Sequence, residues 1–247
     1  VDRKTFMRDV YADYWLQARD KKYGFMDYDR RLCELVESES KPEARLLEVA
    51  IGTGYPIAGF LARAGHKVHG IDISPALIER CRELNPGIEA SVGDAENLAF
   101  DDGTFDAVYC FHSTWYFPDL PRVIDEMLRV TREGGAVLFD IQNRSHPAIA
   151  ADYERRLRQI RPGVGPRLVL QARNVAKVVL RRGNPNWHAV NYEVPTDPQA
   201  VTDHLRQSPA VQNFSVLARN ESDQSLARID DHCTFPHYPR LIFVARR

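Results

Sequence analysis

Three acids stand among short apolar runs: Glu48 inside LLEVAIG, Asp72 closing KVHGID, and Asp94 after SVG. Between the first two lies a glycine-rich turn, Ala50-Ile51-Gly52-Thr53-Gly54, after a strand-like run and before a helix-like one. Glycines without a Cβ let the backbone approach a ligand closely. An ionised carboxylate only accepts hydrogen bonds, through two oxygens, so Asp72 suits the two ribose hydroxyls of an adenosine and Asp94 an adenine amino group. Glu48 in an apolar strand is costly unless a donor or cation answers it, and an amino acid ammonium is one such partner. Backbone amides near the turn are another. Together these residues describe an adenosine bearing an amino acid. From Ala50 the frame reads A-I-G-T-G-Y, with Tyr55 where G-x-G-x-x-G needs its last glycine, so a nicotinamide or flavin dinucleotide fits less well.

The elements that must hold these residues follow from periodicity. Residues 3 to 38 carry apolar side chains at helical spacing around a break at Tyr23-Gly24, which predicts an N-terminal helical cap. From Leu46 short apolar runs alternate with helical stretches, the signature of βαβ units around a parallel sheet. Ser74-Pro75 and Asp119 with Pro121 are helix starts, an N-cap beside a proline in the first turn. The helix over 119–131 is expected to end at Gly134-Gly135, followed by a strand AVLFDI. Over 142–191 the rhythm breaks. Alternation from Leu168 to Leu180 and a turn at Gly183-Asn184-Pro185 predict a hairpin insertion, after which a helix near 197–207 and strands near 213–218 and 240–245 complete the chain.

With these posts in place, residues 46–141 resemble the core of class I S-adenosylmethionine-dependent methyltransferases. The family's first motif reads acid-x-G-x-G-x-G against E-V-A-I-G-T-G here, Ala50 replacing the first glycine. Asp72 with Ile73 corresponds to the family's ribose-binding position and Asp94-Ala95 to its adenine-binding pair. Phe105-Asp106-Ala107-Val108 corresponds to its fourth strand, and Leu128-Arg129-Val130 through Gly134-Gly135-Ala136-Val137-Leu138 to the helix, turn and fifth strand that follow. The resemblance implies an α/β, Rossmann-like, seven-stranded sheet with helices on both faces and its last strand antiparallel. It implies a single domain over 1–247: an N-terminal helical cap over 1–40, a cofactor-binding core over 44–141, an inserted substrate lid over 142–191, and the C-terminal part of the sheet over 192–247. It also implies S-adenosyl-L-methionine as cofactor and S-adenosyl-L-homocysteine as product. Tyr11, Tyr14 and Trp15 are similar to the aromatic cluster that many small-molecule methyltransferases place near the methionine part.

Phe111-His112-Ser113-Thr114-Trp115-Tyr116-Phe117 leaves the fourth strand at the same sheet edge. The resemblance implies Phe111 and His112 beside the cofactor, and Trp115 and Tyr116 in the acceptor pocket with Trp187 of the insertion; for Trp115 a place in the core is an equal alternative. His112 and His188 are candidate general bases, since imidazole titrates near neutral pH; a hydrogen-bonded structural histidine is the alternative for His112. Asp230-Asp231-His232-Cys233 with His237 matches no zinc spacing, and no metal is expected.

The 247 residues are 44% hydrophobic and 27% charged, enough for a globular core, and no run approaches the ~18 apolar residues of a membrane span. A net charge of -1 gives no global attraction to nucleic acid or anionic lipid. Nine Arg and Lys without an acid over 155–182 allow an anionic acceptor, a solvated face or a subunit contact, and a homodimer stays open. Four scattered cysteines without a C-x-x-C pair fit reduced thiols, hence a cytoplasmic setting. The expectation is methyl transfer to an O or N atom of a small-molecule metabolite, in specialised biosynthesis, with no nucleic acid or membrane partner. A cofactor-binding protein with other chemistry and an NAD-dependent oxidoreductase are the alternatives.

Overall fold

The computed structural model describes residues 3–12, 16, 24–160, 193–220, 225–229 and 232–247. Apolar runs bounded by turn residues form strands β1 (Arg45–Val49), β2 (Lys67–Asp72), β3 (Glu89–Val92), β4 (Phe105–Cys110), β5 (Thr131–Gln142), β6 (Asn213–Arg219), β7 (Leu226–Ile229) and β8 (Arg240–Arg246). The helices are α1 (Arg3–Phe6), continued by a π-turn over Met7–Tyr11, α2 (Asp27–Ser38), α3 (Ile57–Arg63), α4 (Pro75–Leu84), α5 (Leu120–Val130), α6 (Pro147–Ile160) and α7 (Pro198–Gln207). The strands form one sheet in the order β3-β2-β1-β4-β5-β8-β6-β7, with β1 to β5 parallel and β8 antiparallel to both of its neighbours.

The expected helix starts are built from the residues that signalled them. Ser74 accepts from the Leu77 N–H at the head of α4, and Asp119 from the Arg122 N–H at the head of α5. Side chains from successive strand positions enter two cores. Leu47, Val49, Val108 and Val137 meet α5 on one face, while Leu46, Ala107, Tyr109 and Leu138 meet α2 and α3 on the other. Fully burying each such Leu or Val stabilises the fold by ~1.5–3 kcal/mol.

Two expectations are corrected. The sheet has eight strands, because β7 adds a short edge antiparallel to β6. Its four residues, LARI, are too few to display a period. The fifth helix ends at Val130 and β5 already begins at Thr131, with the β4–β5 register shifting between Phe105 and Ala107. Gly134 and Gly135 therefore lie inside the strand irregularity rather than ending a helix; a Cβ on Gly135 would come 2.7 Å from the Asp106 carbonyl oxygen.

Of the expected insertion, residues 147–160 form helix α6; the predicted hairpin lies outside the described residues. Glu193 is met by Tyr116 and by Arg156 of α6, and Val194 donates to the Trp115 carbonyl, so the described flanks of 161–192 converge beside the turn after β4. Among the described residues, no helix is long and apolar enough to cross a membrane.

Candidate cofactor and acceptor site

The glycine turn connects β1 to α3 through left-handed backbone at Ala50, Gly52 and Gly54, with φ of 61°, 57° and 75°. At Gly54 a Cβ would also lie 2.9 Å from both Cys81 Sγ and Asn85 Nδ2. Ala50 bears this conformation at a cost of about 1–2 kcal/mol, partly offset because alanine restricts the unfolded chain more than glycine does. Ala50→Gly is therefore expected to stabilise the protein by roughly 1 kcal/mol, a rise of about 2–4 °C in melting temperature for a chain this long. A fall in melting temperature would show that the Ala50 methyl group contributes more by packing than its backbone costs.

Asp72 ends β2 with one carboxylate oxygen accepting from the Gly52 N–H at 3.0 Å and the other from the Ser74 N–H at 2.9 Å. It thereby ties the turn to the next strand. Burial pushes its carboxyl up to about 6, against these backbone donors. A carboxylate has about four acceptor positions, so hydroxyls can still join the backbone groups.

Strand alternation turns Glu48 toward α2 and α3. There Tyr109 donates its hydroxyl to Oε2 at 3.2 Å, and the backbone of Ala58 also donates to the carboxylate. Burial pushes Glu48 up to about 8, and among the described residues the charged group that bears on it is Asp72, of like sign. A buried acid without a cationic partner is the complement of a cationic ligand.

Both acids line a cavity of about 390 Å³, within the range of small-molecule sites. Tyr11, Ala50, Gly52, Thr53, Ile73, Asp94, Ala95, Phe111, His112 and Tyr116 line it too. Gly54 is not part of the wall and shapes the turn behind it. Trp115, 2% exposed, is not part of the wall either; the Arg240 guanidinium lies over its ring at 4.6 Å. Tyr14, Trp15, Trp187 and His188 lie outside the described residues.

Asp94 is engaged from the N-terminal segment. Lys4 Nζ lies 2.7 Å from its Oδ2 and 2.6 Å from Glu96 Oε2, while Arg3 donates to the Phe117 carbonyl. Tyr11 adds a hydroxyl contact of 3.3 Å to Tyr116 and packs with Phe6 and Trp115. Tyr11 of the N-terminal segment thus packs against the turn after β4.

His112 has left-handed backbone, φ 61°, and donates its N–H to Asp140 Oδ1 at 2.8 Å. Arg240 Nη1 lies 2.9 Å from its Nδ1, and a guanidinium can only donate, so Nδ1 accepts and the ring proton sits on Nε2. That N–H points at Asp29 Oδ1, 3.1 Å away. Both ring nitrogens are engaged within the protein.

Residues 47–139 match the family model described as a methyltransferase domain. The chain carries a methyltransferase domain. Over 99 residues it is 40% identical to the phthiotriol/phenolphthiotriol dimycocerosates methyltransferase of Mycobacterium leprae, covering 38% of this chain and 36% of that protein. Over 113 residues it is 33% identical to the malonyl-acyl-carrier-protein O-methyltransferase of Halorhodospira halophila, covering 44% of this chain and 38% of the relative. The matches thus span less than two fifths of these relatives' lengths. A solved structure from Thermotoga maritima, described as a SAM-dependent methyltransferase and possible histamine N-methyltransferase, superposes with a TM-score of 0.59 over 95% of this chain and 98% of its own, at 17% identity. That likeness extends the fold beyond the methyltransferase domain to the whole sheet.

Tyr28, Asp29, Arg219 and Arg240 also line the cavity and were not singled out from sequence. The arginines sit at the cavity ends of β6 and β8, and no motif distinguishes a strand-end arginine that enters a cavity from one in solvent. Tyr28 and Asp29 read as ordinary members of an amphipathic helix.

Proposed function

We propose that this protein transfers the methyl group of S-adenosyl-L-methionine to an O or N atom of a small-molecule or lipid metabolite, leaving S-adenosyl-L-homocysteine. The observation that carries this reading is the pairing, in one cavity, of the buried acid Glu48, which meets no cation among the described residues, with the strand-end acid Asp72. Asp72 would hold the ribose hydroxyls, Glu48 the cationic amino group, and the Asp94-Ala95 corner the adenine. When bound, the cofactor supplies a methyl group made electrophilic by its sulfonium. What the chain's residues contribute is alignment and exclusion of water, for which well-oriented reactants gain ~7–11 kcal/mol. Tyr11 and Tyr116 would close the cavity from the cap side.

A hydroxyl acceptor would require His112 to release the Arg240 contact at Nδ1 before taking a proton; a neutral amine needs no base before transfer. The two relatives are named as a phthiotriol/phenolphthiotriol dimycocerosates methyltransferase and a malonyl-acyl-carrier-protein O-methyltransferase, and each matches less than half of this chain, so they support the chemistry more than any particular acceptor.

The test is calorimetric titration with S-adenosylhomocysteine and, separately, NADH, followed by a screen for S-adenosylhomocysteine release with a panel of phenols, amines and acids. Saturable binding of S-adenosylhomocysteine with turnover of at least one acceptor is expected. Saturable binding of NADH with none of S-adenosylhomocysteine would overturn the assignment. Cofactor binding without turnover across the panel would favour another use of the same pocket.

A further inference from the structure

The cavity wall carries, at Arg219 and Tyr28, a guanidinium Nε and a hydroxyl without a hydrogen-bond partner among the described residues. Arg219, at the end of β6, lies with its guanidinium carbon 5.3 Å from the Tyr28 ring centroid. Among the described residues its buried Nε has no hydrogen-bond partner, and neither has the hydroxyl of Tyr28, a side chain only 4% exposed. Both residues line the cavity. The nearby carboxylates are already engaged: Asp29 accepts from the Met26 N–H and faces His112 Nε2, and Asp140 accepts from the His112 N–H and from Arg240. Two orphaned donors at one place, one of them cationic, are complementary to an oxyanion; a guanidinium fork is the side chain best shaped to hold one.

We propose that Arg219 and the Tyr28 hydroxyl bind an oxyanion carried by the acceptor, so that the acceptor is a carboxylate- or phosphate-bearing molecule. The inference rests on the methyl-transfer reading, because it divides the cavity into a cofactor half and an acceptor half. The sheet order makes the division. Glu48, Asp72 and Asp94 belong to β1, β2 and the turn after β3, whereas Arg219 leaves a strand four places from β1 on the other side of β4. At about 4.8 Å per strand that is roughly 19 Å along the sheet, beyond the strands that hold the nucleoside and its amino acid. Arg240, three strands from β1, supports the same wall, fixed by Asp140 and by the Trp115 ring.

The experiment uses the full chain saturated with S-adenosylhomocysteine and titrates malonate, benzoate and inorganic phosphate by calorimetry. At least one of them is expected to bind saturably, a carboxylate or phosphate preference identifying which oxyanion the acceptor bears. Arg219→Met, which keeps an aliphatic stem and removes the guanidinium, should weaken that binding at least tenfold, Arg219→Lys about threefold, and Tyr28→Phe three- to tenfold. All three should leave S-adenosylhomocysteine affinity within twofold, which also reports that each variant is folded. No anion binding to the loaded protein, or equal binding by the variants, would overturn the inference while leaving the methyl-transfer reading intact. A tenfold loss of S-adenosylhomocysteine affinity in Arg219→Met with unchanged affinity for 5′-methylthioadenosine, which lacks the amino acid, would overturn it by giving Arg219 to the cofactor. Failure of the unaltered chain to bind S-adenosylhomocysteine would overturn both.

Discussion

Asp72→Ala is expected to weaken S-adenosylhomocysteine binding by about 1–3 kcal/mol, a loss of roughly five- to 150-fold in affinity, from hydrogen bonds to a charged acceptor. The variant loses more than the ribose contacts. The Gly52 and Ser74 N–H groups now held by the carboxylate would be left unpaired, and the turn between β1 and α3 would lose its tie to β2. Asp72→Asn separates the two effects, since its single amide oxygen can still accept from one of the two backbone groups but cannot replace two oxygens toward a diol. Calorimetry on both variants, with melting temperatures as the folding control, checks the assignment. Affinity unchanged in both would reject a ribose at Asp72.

The second large effect is on pH dependence. Glu48 is held up at about 8 and Asp72 at about 6, both chiefly by burial, so in the free protein they retain protons that ordinary carboxylates would have lost. The ionised forms are the ones that accept from an ammonium and from hydroxyls. Binding must therefore release protons below these values, and affinity for S-adenosylhomocysteine should rise between about pH 5 and pH 8, by up to tenfold per pH unit for each proton released. The stability of the free protein should run the opposite way. A folded carboxyl above its unfolded value binds more protons in the native state, so stability is lost as pH rises from the unfolded value toward about 8 for Glu48 and about 6 for Asp72. The thermal shift produced by the ligand should consequently grow with pH. Glu48→Gln should flatten the upper part of the binding curve and leave the lower part, which belongs to Asp72. A wild-type affinity that is flat from pH 5 to 8 would show that neither acid meets the ligand as a carboxylate.

The network at His112 explains why sequence gave only half of the acceptor side. A histidine after the fourth strand is legible as a candidate base, but its tautomer depends on Arg240 and Asp29, which are 128 and 83 residues away. Trp115 shows the same limit from the other direction. An aromatic residue shortly after a strand reads equally as wall or as core, and here the Arg240 guanidinium lies over it. The edge strand β7 was not expected because four residues have no measurable period, and its place is set by the ladder that β6 offers.

What the sequence determined by itself is the half of the cavity proposed for the cofactor. Glu48, Gly52, Gly54 and Asp72 act through local rules: strand alternation, left-handed backbone that favours glycine, and a carboxylate at a strand end beside that turn. Those rules operate over a few residues, so spacing along the chain carries them. Only the tertiary structure decided the wall proposed for the acceptor, where Tyr28 comes from α2, His112 from the turn after β4, Arg219 from β6 and Arg240 from β8. No local periodicity links them. The order of strands in the sheet brings them to one wall, and that order follows from the burial of two whole sheet faces rather than from any short stretch of residues.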